Sequence, residues 1–263
     1  MSILKAIILG LLQGFTEFLP VSSSGHLEIA KYILNVDIKN DLMYTFILHI
    51  ATVLSIVFVF FNDLKNLFLS LIIKRDKNNF QYLIKLIVSA IPAAFVGLMF
   101  EDFIEQFFEG KIFFVSIMLI LTAILLFIAN NLSKKSFRNI TYIDSFIVGI
   151  AQAIAILPGI SRSGATISAG LILKIKREEI SKFAFLMLLI PVLGKVMLDA
   201  GNGKLTSMDI DIIPLAFSFL SAFISGIIAC KIVINFVKKS KLIYFSIYCL
   251  FISILTLVIY FLR

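Results

Sequence analysis

Apolar residues fill six stretches of the chain, roughly 42–61, 82–100, 111–130, 181–199, 213–236 and 242–262. Each is long enough to carry an α-helix across a hydrocarbon core about 30 Å thick, at a rise of about 1.5 Å per residue. Two other regions break the pattern. Residues 3–34 are interrupted by LPVSSSGH, and residues 143–174 by LPGISRSGAT. In both, a helix of modest length meets a proline, then a Ser/Gly turn, then a second short helix. That second helix, of about a dozen residues, reaches only about 20 Å and cannot cross. The pattern predicts two re-entrant hairpins that dip into the membrane and return. Backbone of this kind survives at membrane depth only under cover of protein or beside a polar cavity.

The two interrupted regions are related. Gly10 and Gly149, Gln13 and Gln152, Ser22 and Ser161, Ser24 and Ser163, and Gly25 and Gly164 are all 139 residues apart. So are Phe46 and Phe185, and the pairs Val53-Leu54 and Val192-Leu193, whereas Pro20 and Pro158 slip by one. The matches concentrate at the two motifs, as a duplication requires. Each half, about 1–131 and 142–263, then holds one re-entrant hairpin and three full spans. Three is odd, so the second half starts on the opposite side of the membrane and the halves are inverted copies. The expected fold is an all-α polytopic membrane protein, a single integral membrane domain whose hairpin tips meet near the midplane.

Composition agrees. Of 263 residues, 60% are hydrophobic, and the mean hydropathy is +1.05. No soluble domain hides that much apolar surface. The formal charge of +8 does not describe a nucleic-acid binder, because the basic residues sit in short loops rather than on one soluble face. They set orientation instead. One side collects Lys65, Lys74, Arg75 and Lys77, then Lys134, Lys135 and Arg138, then Lys174, Lys176, Arg177 and Lys182, then Lys238, Lys239 and Lys241. The other has chiefly Lys39, Lys111 and Lys204, with an acidic patch of Glu101, Asp102, Glu105 and Glu109. The positive-inside rule puts the first side in the cytoplasm and both termini outside. The N-terminus resembles a signal peptide only superficially, since Gln13 and Glu17 interrupt its apolar region. Cys230 and Cys249 lie in separate apolar runs and read as buried small hydrophobes.

Ionisable groups at membrane depth are expensive, about 3 kcal/mol or more, and mark functional sites by default. Gln13 and Glu17 are four apart and share a helix face. Ser22, Ser23, Ser24 and His26 follow. In the second motif Arg162 and Thr166 are four apart, flanked by Ser161 and Ser163. Each second hairpin helix starts at its tip, so its free N–H groups and positive dipole end face the shared cavity. The set suits a phosphate group. Arg162 grips oxygens bidentately, and Ser161, Ser163 and Thr166 add hydroxyl donors. A serine or His26 attacks phosphorus, with Glu17 as base or metal ligand. Gln13 can orient a ligand or help hold a cation, but cannot act as a base. The remaining polar residues read as structural. His49 is expected to pack or cap, Glu28 and Lys31 to form a helix-surface pair, Lys195 to snorkel, and Tyr142 and Asp144 to mark a helix start.

The motifs QGFTEFLPVSSSGH and PGISRSGAT closely resemble those of the undecaprenyl-diphosphatase family, also called the bacitracin-resistance proteins. The resemblance covers essentially the whole chain. It implies hydrolysis of undecaprenyl diphosphate to undecaprenyl phosphate and inorganic phosphate in the bacterial cytoplasmic membrane. That reaction recycles the lipid carrier of peptidoglycan synthesis and confers bacitracin resistance. It also implies an inverted-repeat fold and a divalent cation, Mg²⁺ or Ca²⁺. Carried over by residue, the family's glutamate motif falls on Gln13 and Glu17. Its serine motif falls on Ser22 and Ser23, its histidine on His26, and its arginine motif on Ser161, Arg162, Ser163 and Thr166. Many members carry glutamate at the first position. Glutamine at position 13 leaves Glu17, or the lipid diphosphate, to supply more of the metal's ligands.

The resulting expectation is a lipid diphosphatase with Ser23 as nucleophile and His26 as base or acid, or with His26 attacking instead. Arg162, Ser22, Ser161, Ser163 and Thr166 bind phosphate, and Glu17 with Gln13 holds the metal. The site opens to the outer side. The expected partners are the lipid substrate, membrane lipids and a homodimer mate, with no nucleic acid. The competing class is a transporter or flippase for undecaprenyl phosphate or another anion, since inverted repeats with broken helices also build carriers. A carrier explains Arg162, but not a hydroxyl–histidine–glutamate cluster.

Overall fold

The computed structural model describes residues 1–36, 41–74, 76–100, 103–104, 106–107, 111–132, 137–201, 211–239 and 241–262. Among them the fold is all-helical, with one isolated backbone bridge between Arg138 and Ile175. The first hairpin is α1 (Ile3–Phe18) and α2 (Ser23–Leu34). There follow α3 (Asp41–Val59), α4 (Phe61–Leu69), a π-helical turn Ser70–Lys74, α5 (Lys77–Met99) and α6 (Ile112–Leu132). The second hairpin is α7 (Tyr142–Ile154) and α8 (Arg162–Ile172), followed by α9 (Arg177–Gly201), α10 (Ile212–Lys238) and α11 (Leu242–Leu262). Among the described residues five helices are long and apolar enough to cross a membrane, six with α3 counted together with α4. The protein is a multi-pass membrane protein. The returning hairpin helices have 12 and 11 residues, too few to cross.

The first span differs from the sequence reading in one respect. The chain bends by 70° between Met43–Val59 and Phe61–Ile72, so the loop expected after the span is helical. Phe61, Phe68 and Ile72 recur at helical spacing and are exposed, whereas Asp63 reaches Lys182 Nζ at 2.5 Å. An amphipathic helix of this kind lies along an interface rather than through it. The acidic patch Glu101, Asp102, Glu105 and Glu109 lies outside the described residues. So do Lys39, Arg75, Lys134, Lys135 and Lys204, and the side chains of Lys74 and Lys195.

Each hairpin is closed at its base by a basic side chain. Lys5 Nζ, in the first turn of α1, donates to the Leu34 carbonyl at the end of α2, 2.7 Å away. A cation there satisfies an orphan carbonyl and the negative dipole end together. At the second hairpin Arg138 donates to the Leu173 carbonyl and forks onto both Asp144 oxygens, at 2.5 and 2.8 Å. Asp144 also closes a capping box with Thr141, so the expected helix start at Tyr142 and Asp144 is present.

The halves pack on each other by exchange. Helix α1 of the first hairpin lies along α10, a span of the second half; α7 of the second hairpin lies along α5 of the first; and the last spans of the two halves, α6 and α11, pair together. These interfaces are lined by small residues, as membrane helices require when no water drives them together. A Cβ on Gly10 would overlap the Ser218 carbonyl, one on Gly14 the Ala222 carbonyl, and one on Gly149 the Ser89 carbonyl. Serines supply hydrogen bonds between helices. Ser218 Oγ donates to Ala6 O at 2.8 Å, Ser253 Oγ to Ser116 O at 2.8 Å and Ser246 Oγ to Ala123 O at 2.7 Å. Cys230 and Cys249 are buried free thiols, as expected.

The α1–α10 contact makes a sharp prediction. Gly14→Leu forces backbone apart and should cost about 1–3 kcal/mol or more. Gly97→Ala, where a Cβ meets nothing within 4 Å, should be neutral or gain up to about 1 kcal/mol. Thermal unfolding of the two variants in one detergent checks the contrast. Equal midpoints would remove the close approach of α1 to α10.

Candidate active site

The two motifs build the same local structure. Ser22 Oγ caps α2 by accepting from Gly25 N–H at 3.2 Å, and Ser161 Oγ caps α8 by accepting from Gly164 N–H at 3.1 Å. A serine three residues before the N–H it satisfies is the ordinary N-cap arrangement. The neighbouring hydroxyls match too, with Ser22 Oγ 3.4 Å from Ser24 Oγ and Ser161 Oγ 3.3 Å from Ser163 Oγ. These hydroxyls act first as helix caps, and their own protons stay available to an oxygen acceptor. Ser22 sits at φ 71° and ψ 98°, a sparsely populated region for a residue with a Cβ and a mark of a constrained turn.

The tips meet each other. Ser163 Oγ donates to the Leu19 carbonyl of the first tip at 3.2 Å. A Cβ on Gly25 would stand 3.2 Å from Gly159 Cα, and one on Gly164 3.4 Å from Pro20 Cβ. Gly159 has φ +97°, which glycine alone adopts without strain. The second tip is held by Thr122 of α6, whose hydroxyl accepts from Ser161 N–H and donates to Gly159 O, both at 3.0 Å. Nothing in the spacing of α6 announced Thr122.

At the junction lies one carboxylate. Glu17 Oε2 accepts from Ser23 Oγ at 2.5 Å and from Gln13 Nε2 at 3.1 Å. His49 Nε2 stands 3.4 Å from the same oxygen, and Arg162 Nη1 is 4.0 Å from Oε1. Glu17 and Gln13 are buried, whereas the Arg162 side chain keeps 28% of its surface open. Arg162 thus pairs with Glu17 at one edge and keeps donors free for an incoming anion.

His26 is held differently from the expectation. Its Nδ1 is 2.8 Å from the Ser22 carbonyl and its Nε2 is 2.9 Å from Tyr248 Oη, with the rings stacked at 5.6 Å. A carbonyl only accepts, so Nδ1 carries the proton and Nε2 of the neutral ring accepts from the tyrosine. Ser23 donates to Glu17, not to His26. Thr166 Oγ1 donates to its own helix, to Arg162 O at 2.9 Å, and is almost fully buried. It orders the first turn of α8 rather than offering a donor to the cavity.

Three further sequence expectations change. His49 is a member of the site rather than a packing or capping residue. An ionisable side chain within an apolar run was the signal that could have marked it. Glu28 and Lys31 pair at 2.5 Å as expected, but both are buried. Tyr248, 222 residues from His26, was not anticipated.

A divalent cation would find few protein ligands. Among the described residues no group of three His, Cys, Asp or Glu side chains gathers to hold one. Gln13 Oε1, however, is buried without a hydrogen-bond partner beside the Glu17 carboxylate. One carboxylate and one orphaned amide oxygen fit a hard cation whose remaining ligands come from water and phosphate.

The family described as bacitracin resistance protein BacA matches residues 6–255. The chain is 43% identical over 260 residues to an undecaprenyl-diphosphatase of Christiangramia forsetii, covering 98% of both. It is 41% identical over 258 residues to that of Bacteroides fragilis, covering 97% of both. It is 38% identical over 264 residues to undecaprenyl-diphosphatase 2 of Bacillus thuringiensis, covering 97% of both. With two polar tips meeting over a single buried carboxylate, and the family's pattern running through both, this chain belongs to the bacitracin resistance protein BacA family.

Proposed function

We propose that the protein hydrolyses undecaprenyl diphosphate to undecaprenyl phosphate and inorganic phosphate, and so recycles a lipid carrier of cell-wall synthesis. The observation that carries this reading is the short hydrogen bond from Ser23 to Glu17 beside Arg162. It joins a nucleophile, a base and an anion clamp at the meeting point of the hairpins. A carrier needs the clamp but not the nucleophile–base pair.

The reaction runs on these residues. Arg162 neutralises the terminal phosphate, with N–H groups at the start of α2 and α8 adding partial positive charge. Ser23 Oγ attacks the terminal phosphorus and passes its proton to Glu17 Oε2. The bridging oxygen–phosphorus bond breaks, and undecaprenyl phosphate leaves with the proton from Glu17. The freed carboxylate then takes a proton from water, which attacks the phosphoserine phosphorus; the Ser23 Oγ–phosphorus bond breaks, inorganic phosphate leaves, and Glu17 returns the proton to Ser23 Oγ. His26, held by the Ser22 carbonyl and Tyr248, braces the turn that carries Ser23. Glu17 and Gln13 would hold a Mg²⁺ or Ca²⁺, which would supply charge neutralisation to the phosphate when bound.

The prenyl tail takes the apolar groove between α5 and α7. That groove holds about 550 Å³ and is lined by Ile91, Phe95, Phe146, Ile150 and Leu157, the last adjoining the second tip. The basic residues Arg138, Lys174, Lys176, Arg177, Lys182 and Lys238 face the cytoplasm of a bacterial cell. The halves 1–131 and 142–263 are then inverted copies with both termini outside, and the site near the midplane opens outward. The lipid substrate is the partner in this reading, and a homodimer the assembly to test.

Two measurements test it. Phosphate release from undecaprenyl diphosphate by the purified protein is expected with Mg²⁺ or Ca²⁺ and lost in EDTA. Glu17→Ala and Arg162→Ala should each lower kcat by at least about 100-fold, and Arg162→Lys should restore little of it. No release from folded wild type would favour an anion carrier. Separately, mass spectrometry after acid quench should find phosphate on Ser23. Its absence there and on His26 would favour direct attack by water. Tyr248→Phe should lower kcat by only about 10-fold, because it loosens a brace rather than removing a reacting group.

A further inference from the structure

Among the described residues, His49 is a polar neighbour of Glu17 that neither hairpin motif contains and the proposed reaction does not use. Its Nδ1 lies 2.8 Å from the Thr45 carbonyl one helical turn earlier. The carbonyl accepts, so Nδ1 carries the ring proton. The other nitrogen of the neutral ring is then a lone pair, yet it points at a carboxylate oxygen 3.4 Å away. Two acceptors facing each other in a buried site need a positive charge between them, either a proton on Nε2, which makes an imidazolium–carboxylate pair, or a bound metal ion.

Three observations favour the metal ion. Ligands bound to one cation at about 2.0–2.2 Å, at angles of about 90–110°, stand about 2.9–3.5 Å apart, and the His49–Glu17 separation falls in that range. Gln13 Oε1 is a third acceptor, buried and unpartnered, on the side chain that already bonds the same carboxylate oxygen. Metal-binding histidines typically donate their other ring N–H to a carbonyl or carboxylate, which fixes tautomer and ring plane; Thr45 supplies that carbonyl.

We propose that His49 is a protein ligand of the divalent cation, binding through Nε2 beside Glu17 and Gln13 Oε1. This rests on the Glu17 cation site of the proposed function. It deepens that reading, because an imidazole ligand shifts preference from Ca²⁺ and Mg²⁺ towards borderline ions such as Fe²⁺ and Zn²⁺. It also draws the first span, α3, into a site that the motifs place wholly on the hairpins.

Pulsed electron paramagnetic resonance with Mn²⁺ alone tests the assignment on tag-free protein in detergent. The chain has 2 histidines, so a directly bonded imidazole nitrogen comes from His26 or His49. The expected result is strong ¹⁴N coupling in wild type and in His26→Gln, and none in His49→Gln. Labelling His26→Gln with ¹⁵N-histidine should convert the ¹⁴N pattern to a ¹⁵N one, which needs no substitution at position 49. Coupling that persists in His49→Gln, or no coupling in wild type, overturns the proposal; the second outcome leaves an imidazolium–carboxylate pair. Phosphate release with Mg²⁺ on the same preparations keeps the two readings apart. An active enzyme without nitrogen coupling loses only the His49 ligand. Nitrogen coupling in protein that releases no phosphate supports the ligand and removes the diphosphatase.

Discussion

A single buried carboxylate organises this molecule. An isolated charge at membrane depth costs about 3 kcal/mol or more, and burial repays only a charge that is surrounded by partners. Glu17 draws those partners from four elements: Gln13 from α1, Ser23 from α2, His49 from α3 and Arg162 from α8. No single hairpin could hold it. The cluster around Glu17 therefore forms only when both tips and the first span are in place.

Bringing two tips together inside a bilayer imposes its own chemistry. Backbone that leaves the helix must find donors and acceptors within the protein. The structure answers with the same device at each tip, a serine cap followed three residues later by a glycine. The serine satisfies an N–H group. The glycine removes the Cβ that would otherwise hold the tips apart, as the 3.2 Å spacing at Gly25 and Gly159 shows. Thr122 and Cys249 reach the remaining tip carbonyls from α6 and α11, at 3.0 and 3.7 Å. The short helices that begin there have 12 and 11 residues, too few to cross a bilayer.

Much of this was legible. Apolar length located five spans among the described residues and the first arm of a bent sixth, since the thickness of a bilayer is a fixed ruler. The 139-residue spacing of Gly10, Gln13, Ser22 and Gly25 with their mates located the hairpins and their kinship. Those residues perform matching roles, the first pair as close-approach positions and the third as caps. The bend after Val59 was not legible, because the apolar run ends at Phe61 and the residues beyond it read as a loop until Asp63 is seen to pair with Lys182 from a helix. Nor was the burial of Glu28 with Lys31, where spacing gives the pair but not its surroundings.

The sequence alone determined element type, span length and the pairing of the motifs, since each rests on local periodicity, a cap or the thickness of a bilayer. Tertiary structure decided how the polar side chains face one another. It turned Ser23 to Glu17 rather than to His26, gave His26 to Tyr248, bound the Thr166 hydroxyl to its own helix, and brought His49 to the carboxylate. The physical reason is rotational. A helix apolar on every face carries little amphipathic record of which side points inward, so its rotation is set only when small residues and hydrogen bonds on neighbouring helices lock together.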